Sequence, residues 1–184
     1  VAVAGDHQGS VAAFLNANGY TAVAWSWTNI HTHVADLENV ELVVLNGTGT
    51  QPSAANLTTF VNAAAAVNRS LIFAGQFNSG SIRTLRTAFA DPATVTQNFT
   101  QGRIYYRPAV EHPIFAGFPV GEPIELMRNP SGGTSNQQYE FFGGYSGETL
   151  AVLGAEGRGG DLGGGVGFKF ATPTSVHVLL DSLG

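Results

Sequence analysis

The sequence predicts an α/β fold of three layers: a mostly parallel central sheet flanked by helices, with β-hairpin additions in the C-terminal half. Three observations predict it. Short apolar runs at 1–4, 22–25 and 42–45 are interleaved with helical spacing over 8–18. A second unit follows, with a helix over 54–67 and a buried strand over 70–74. Beyond Asp91-Pro92 the helical period disappears and alternating strands take over. At 184 residues the chain suits one domain, 1–184. A domain of that size buries roughly 70% of its unfolded surface in one core.

Taken in order, residues 1–4 form the first strand, broken by Gly5-Asp6. Asp6 is placed to cap the first helix, on which Val11, Phe14, Leu15 and Asn18 share a face. Gly19 stands where a left-handed C-terminal cap is wanted. Residues 26–41 make a polar connection with a short helix around 34–37. Ser53 caps the helix over 54–67, where Leu57, Phe60, Val61 and Ala64 repeat at i, i+3, i+4 and i+7. Ser79 or Ser81 opens a third helix, with Ile82, Leu85 and Phe89 inward and Arg83 and Arg86 outward.

In the second half, 94–106 reads as an exposed strand-like excursion, 112–118 as an apolar turn and 124–126 as a brief strand. Residues 128–138 read as a flexible loop. Strands follow over 139–145, 149–155, 165–170 and 176–180. Between two of them, 157–167 is dense in glycine (157, 159, 160, 163, 164, 165 and 167). A phosphate loop needs such glycines between a strand and a helix. Here an alternating strand follows, so the stretch is expected to be a mobile β-connection.

Composition excludes several function classes. The charged fraction is 11%, with a net charge of −5, one lysine (Lys169) and seven arginines. With no basic stretch, nucleic acid and anionic membranes are not expected partners. The absence of cysteine excludes disulfides, thiolate nucleophiles and zinc–thiolate sites. No apolar run is long enough to span a bilayer, and no signal peptide opens the chain. A first residue of Val is expected of a processed or excised product. Surface polarity must come from Asn, Gln, Ser and Thr, a composition that suits extracellular modules. Asn46, Asn56, Asn68 and Asn98 head Asn-x-Ser/Thr sequons and are glycosylation candidates.

The order of motifs resembles the class I glutamine amidotransferase-like (flavodoxin-like) fold, in the divergent form appended to secreted bacterial peptidases. Residues 1–6 with Phe14-Leu15-Asn16-Ala17-Asn18-Gly19-Tyr20 resemble its opening strand, helix and Gly-Tyr turn. Leu42-Val43-Val44-Leu45-Asn46-Gly47-Thr48-Gly49 resembles the strand ending in Thr-Gly. Residues 57–67 with Leu71-Ile72-Phe73-Ala74-Gly75-Gln76 resemble the helix and strand ending in Ser-Gly-Gln. His112-Pro113-Ile114-Phe115-Ala116-Gly117-Phe118 resembles the His-Pro-Ile-x-x-Gly-Leu turn. In that family the nucleophile is a cysteine on a sharp strand-to-helix turn. The matching turn here is Gly75-Gln76-Phe77, and Gln76 has no nucleophilic atom. The resemblance therefore implies a catalytically inert relative.

Asp6, His7, Asn46 and Gln76 are expected to converge at the strand ends and line a cleft. A histidine beside a carboxylate could act as a general base for Ser10 or Ser79, but Asp6 has the simpler task of capping the helix. His31 and His33, with Asp36 and Glu38 behind them, would share a face on a strand and could ligate a metal. A solvated loop is the preferred reading, and no cofactor is expected. His112 is read as a structural histidine bonding a backbone carbonyl, and His177 as structural too. Of Trp25, Trp27, Tyr105, Tyr106, Phe141, Phe142 and Tyr145, most are expected in the core.

The preferred reading is a non-catalytic extracellular accessory or assembly module. Its partner is protein: copies of itself, or a parent peptidase-like chain. Residues 94–107 and 165–180 are the expected contact edges. The alternatives are a hydrolase or small-ligand-binding domain using the strand-end cleft, and an extracellular carbohydrate-binding module using exposed aromatics such as Trp27.

Overall fold

A computed structural model describes residues 1–5, 7–47, 52–75, 91–127 and 137–181. Its parallel half is built from β1 (Ala2–Gly5), β2 (Val23–Trp25), β3 (Leu42–Gly47), β4 (Ser70–Gly75) and β11 (Ser175–Asp181). These lie in the order β2-β1-β3-β4-β11. Ala2 is level with Val43, Leu42 with Ser70, and Leu71 with His177.

Among the described residues, two helices cover this half from opposite sides. Alternation along each strand sends successive side chains to opposite faces. Ala2, Ala4, Val43, Leu45, Leu71 and Phe73 face α2 (Ala54–Ala66), whose buried stripe is Leu57, Phe60, Val61 and Ala64 as expected. Val3 and Val44 face α1 (Gln8–Ala17). Only Ala12 of α1 is fully buried, flanked by Val11 and Leu15, while Phe14 is 67% exposed. The expected inward Phe14 is thus corrected: a helix lying this close to the sheet presents its small residue, and the large ring is left on the solvent side.

Both helices end in the same device. In α1, the Gly19 amide donates to Asn16 and the Tyr20 amide to Leu15, with Gly19 at φ +86°. In α2, the Asn68 amide donates to Ala65 and the Arg69 amide to Ala64, with Asn68 at φ +55°. These are paired backbone bonds of a left-handed C-terminal cap, which satisfy carbonyls the helix leaves open. At the other end of α2, the Ser53 hydroxyl accepts from the Asn56 amide at 3.2 Å. The polar connection after β2 folds as two 3-10 turns, Ile30–His33 and Ala35–Asn39.

Beyond β11 the sheet becomes antiparallel: β10 (Gly160–Thr172), β9 (Glu148–Ala155), β6 (Ile104–Pro108) and β7 (Ile124–Met127). A separate ribbon, β5 (Thr94–Thr100) with β8 (Gln137–Gly143), joins the sheet where Phe142 is level with Gly164. A second core forms here from Ile104, Tyr106, Tyr139, Leu150, Leu153 and Val166. The expected α/β class, parallel core and C-terminal hairpin additions are all present. The third helix, with Ser79, Ser81, Ile82, Leu85 and Phe89, lies outside the described residues, as does most of the 128–138 loop.

The glycine-dense stretch is not a mobile connection. Only 156–159 forms a turn, and the rest belongs to β10, inside the sheet. Gly163, Gly164, Gly165 and Gly167 are seats for aromatic rings. A Cβ on Gly163 or Gly164 would overlap the rings of Phe141 and Phe142. One on Gly165 would fall 2.5 Å from Tyr106 Cε1, and one on Gly167 2.6 Å from Tyr145 Cε1. Close packing leaves no room for a methyl group under these rings. The expected contact edge at 165–180 is corrected for the same reason: β10 and β11 are interior strands. So is β6, which leaves β5 as the exposed part of 94–107.

Candidate functional site

In an open α/β sheet, ligands bind beyond the carboxyl ends of the strands, where successive strands depart to opposite sides. Here that point lies between β1 and β3. The chain leaves β1 through α1 to reach β2 on one side, while β3 and β4 follow on the other. Gly5 and Asn46 are level across the two strands. Gly5 has φ +140°, and a Cβ there would overlap the Asn46 carbonyl. The two strand ends therefore approach backbone to backbone, and any larger residue at position 5 would prise them apart.

Of the four expected lining residues, His7 and Asn46 are described. Asn46 is half-buried in β3. His7 is exposed and left-handed (φ +59°, ψ 17°), at the capping position of α1. Its side chain makes no capping bond, while its carbonyl accepts from Val11 at 3.0 Å. The capping position thus falls to His7. Asp6, expected as the cap, and Gln76, expected opposite it, lie outside the described residues, as does Ser79. Ser10 is exposed in the first turn of α1.

The histidine pair is not arranged as a strand would arrange it. His31 and His33 lie on the 3-10 turn Ile30–His33, where residues two apart diverge by roughly a third of a turn. His33 stacks on Trp25 (centroids 4.8 Å, planes at 2°) and its Nδ1 lies 2.8 Å from Asp36 Oδ2. No group of three His, Asp or Glu side chains able to hold a metal occurs among the described residues.

The other histidines are framework. His112 Nδ1 accepts from the Ile114 amide at 3.2 Å and its ring lies 4.9 Å from that of Phe168. The expected bond to a carbonyl is thus corrected: the imidazole caps its turn by accepting. His177 is buried in β11 with its ring edge-on to Phe73 at 5.1 Å. Burial, and secondarily the Lys169 ammonium, lower its pKa to about 4, so it is neutral at physiological pH.

A polar chain that sequence reasoning missed runs beside it. Lys169 Nζ donates to Ser146 Oγ at 2.8 Å, and that hydroxyl donates to the buried carboxylate of Asp91. The other Asp91 oxygen accepts from the Ala93 amide at 2.9 Å. Serine–lysine pairs can be catalytic when a neutral amine takes the hydroxyl proton. Here the proton order is reversed: the ammonium gives, the hydroxyl relays and the carboxylate receives. Ser146 is a bridge in a solvent-edge ion pair. Tyr145 beside it has its phenol pKa raised, first by burial and then by the Asp91 charge. The available signal was Lys169 itself, the sole ammonium side chain.

The aromatic inventory is mostly internal: Trp25, Trp27, Tyr106 and Phe142 are buried, and Tyr105, Phe141 and Tyr145 half-buried. The sequons are scattered over the surface, with Asn68 exposed and Asn46, Asn56 and Asn98 half-buried. No helix among the described residues is long and apolar enough to cross a membrane.

No family model matches the chain, and no curated protein matches it. Among solved structures it is similar to a "putative gmp synthase subunit a protein" from Thermoplasma acidophilum. The TM-score is 0.52 at 10% identity, over 99% of this chain and 83% of that one. The likeness is one of fold. The chain has a flavodoxin-like α/β fold, with added strands in its C-terminal half. The nucleophilic cysteine of class I amidotransferases is absent from its sequence.

Proposed function

We propose that this chain is a catalytically inert, extracellular accessory domain that works by associating with other protein. The observation that carries this reading is an edge strand, β5, that is long, uncharged and paired on one side only among the described residues. Natural sheets ordinarily protect such edges with short strands, charges or proline. The missing thiolate supports inertness. The low charge supports an extracellular setting, and partners are copies of the chain or a parent peptidase-like chain. Cross-linking mass spectrometry on material from the native source tests this reading. Cross-links from residues 94–100 to any protein support it, and their absence overturns it.

A second reading has one observation in its favour. The Gly5–Asn46 approach stands at the position where this fold class binds small ligands. On that reading Asn46→Ala abolishes a ligand-induced rise in melting temperature, and a ligand screen with no such rise ends it. The carbohydrate reading loses its named platform, since Trp27 is 5% exposed.

A further inference from the structure

We infer that β5 is a self-pairing site: two copies of the chain join antiparallel through residues 94–98, about a two-fold axis at Thr96. This rests on the association reading above and names its partner.

In an antiparallel ladder, alternate residues direct both their N–H and C=O away from the partner strand. Phe99 is one of these, because its amide donates to Asn98 Oδ1 at 2.8 Å and its carbonyl accepts from the Arg158 guanidinium. The β5–β8 register has no shift from Thr94–Gly143 to Thr100–Gln137. Val95 and Gln97 therefore share the outward parity of Phe99.

The two ends of this edge are satisfied from within. Phe99 is closed by Asn98 and Arg158, and the Ala93 amide is occupied by Asp91 Oδ1. Pro92, just before, has no amide to give. What remains open, among the described residues, is the outward N–H and C=O of Val95 and of Gln97. Such a window is centred on Thr96 and reads the same from either direction. An antiparallel copy sets Val95 opposite Gln97 of its mate and Gln97 opposite Val95. Two such pairs exchange four hydrogen bonds, and neither terminal closure is disturbed. An isologous contact of this kind closes at two chains.

Side-chain chemistry favours the same partner. Thr-Val-Thr-Gln-Asn-Phe-Thr carries no charge and no proline, so nothing repels an identical strand across the axis. The other outer strands of the sheet are guarded. β2 has three residues, and β7 carries Glu125. Thr96 and Gln97 are exposed, and Phe99 is 43% exposed at the margin of the contact.

Gln97→Pro and Thr96→Lys test the assignment in the purified full chain, by sedimentation from micromolar to millimolar concentration. Proline at an outward position removes an open N–H and leaves the β8 ladder intact. Lysine at 96 sets two ammonium groups across the axis. The expected result is a reversible dimer of the parent chain. Each variant weakens it at least tenfold, and added salt partly rescues Thr96→Lys. Should Gln97→Pro lose its native circular dichroism, Thr96→Lys decides. A parent chain that stays monomeric throughout, or a dimer indifferent to Thr96→Lys, overturns the inference. Cross-links from 94–100 to a different protein would then leave the association reading standing without the self-pairing.

Discussion

The ammonium of Lys169 lies 2.8 Å from the hydroxyl of Ser146, which passes the contact on to Asp91. The single lysine of the chain therefore compensates a buried carboxylate through a neutral intermediary. Ser146→Ala takes one donor from that carboxylate and is expected to cost about 1–3 kcal/mol. Lys169→Met removes an exposed charge and is expected to cost under about 1 kcal/mol. Urea denaturation of the two variants checks the order. Equal stability of Ser146→Ala and the parent would show that Asp91 does not depend on the hydroxyl.

His177 gives the protein a pH dependence of defined sign. Its imidazole is held neutral in the fold with a pKa of about 4, against about 6.5 in an unfolded chain. Above pH 6.5 neither state is protonated and the group contributes nothing. As pH falls from about 6.5 to about 4 the unfolded chain takes up a proton that the folded one refuses. Stability drops by about 3 kcal/mol across that window. His177→Leu should flatten this part of the curve. Denaturant titrations at several pH values measure it, and an unchanged slope in the variant would place the effect elsewhere.

Two glycines should respond oppositely to the same methyl group. Gly9 lies in α1 with nothing within 4 Å of where a Cβ would stand. Gly9→Ala is expected to stabilise by about 0.5–1 kcal/mol, because alanine loses less backbone freedom on entering a helix. Gly164→Ala drives a methyl group into the ring of Phe142, which is 2% exposed and has nowhere to go. It is expected to destabilise by about 1–3 kcal/mol or more. Thermal melts of both variants, run side by side, make the comparison.

Asn68 closes α2 in a left-handed conformation, and its side-chain oxygen accepts from the Thr172 hydroxyl at 2.8 Å. Asn68→Ala and Asn68→Gly lose that bond equally, so their difference isolates the backbone. The alanine variant should be the less stable of the two by about 1 kcal/mol. Equal stabilities would mean that the turn relaxes out of the left-handed region.

The parts of the fold legible in the sequence are those in which a side-chain period reports burial. α2 shows this best: Ser53 marks its start, and its stripe is the one that packs on Leu45 and Phe73. α1 shows the limit, since period alone does not say that Ala12 is the inward residue and Phe14 the outward one. β10 is not legible in the sequence, because glycines have no side chain whose alternation could be counted. The rings that fill the space come from β6 and the 139–145 stretch. The geometry of His31 and His33 is not legible either, because a 3-10 turn leaves no apolar period. The Asp91–Ser146–Lys169 chain joins positions 55 and 23 residues apart, a relation no local pattern encodes. That Asn46 ends its strand is legible from the apolar run before it, and the order of strands is the one long-range feature that βα alternation reveals.

The position of β11 has a consequence for how the molecule comes into being. It lies between β4 and β10, and the Val176 amide bonds to Ser70 Oγ, 106 positions away. During synthesis the parallel half stays one strand short until residues 175–181 emerge. Until then β4 and β10 both present unsatisfied backbone to their surroundings. Closure over so long a loop is slow, and chains halted before that point carry two adhesive margins instead of one joined sheet. Refolding should therefore be cleaner in dilute solution, where each chain meets its own β11 before it meets a neighbour's.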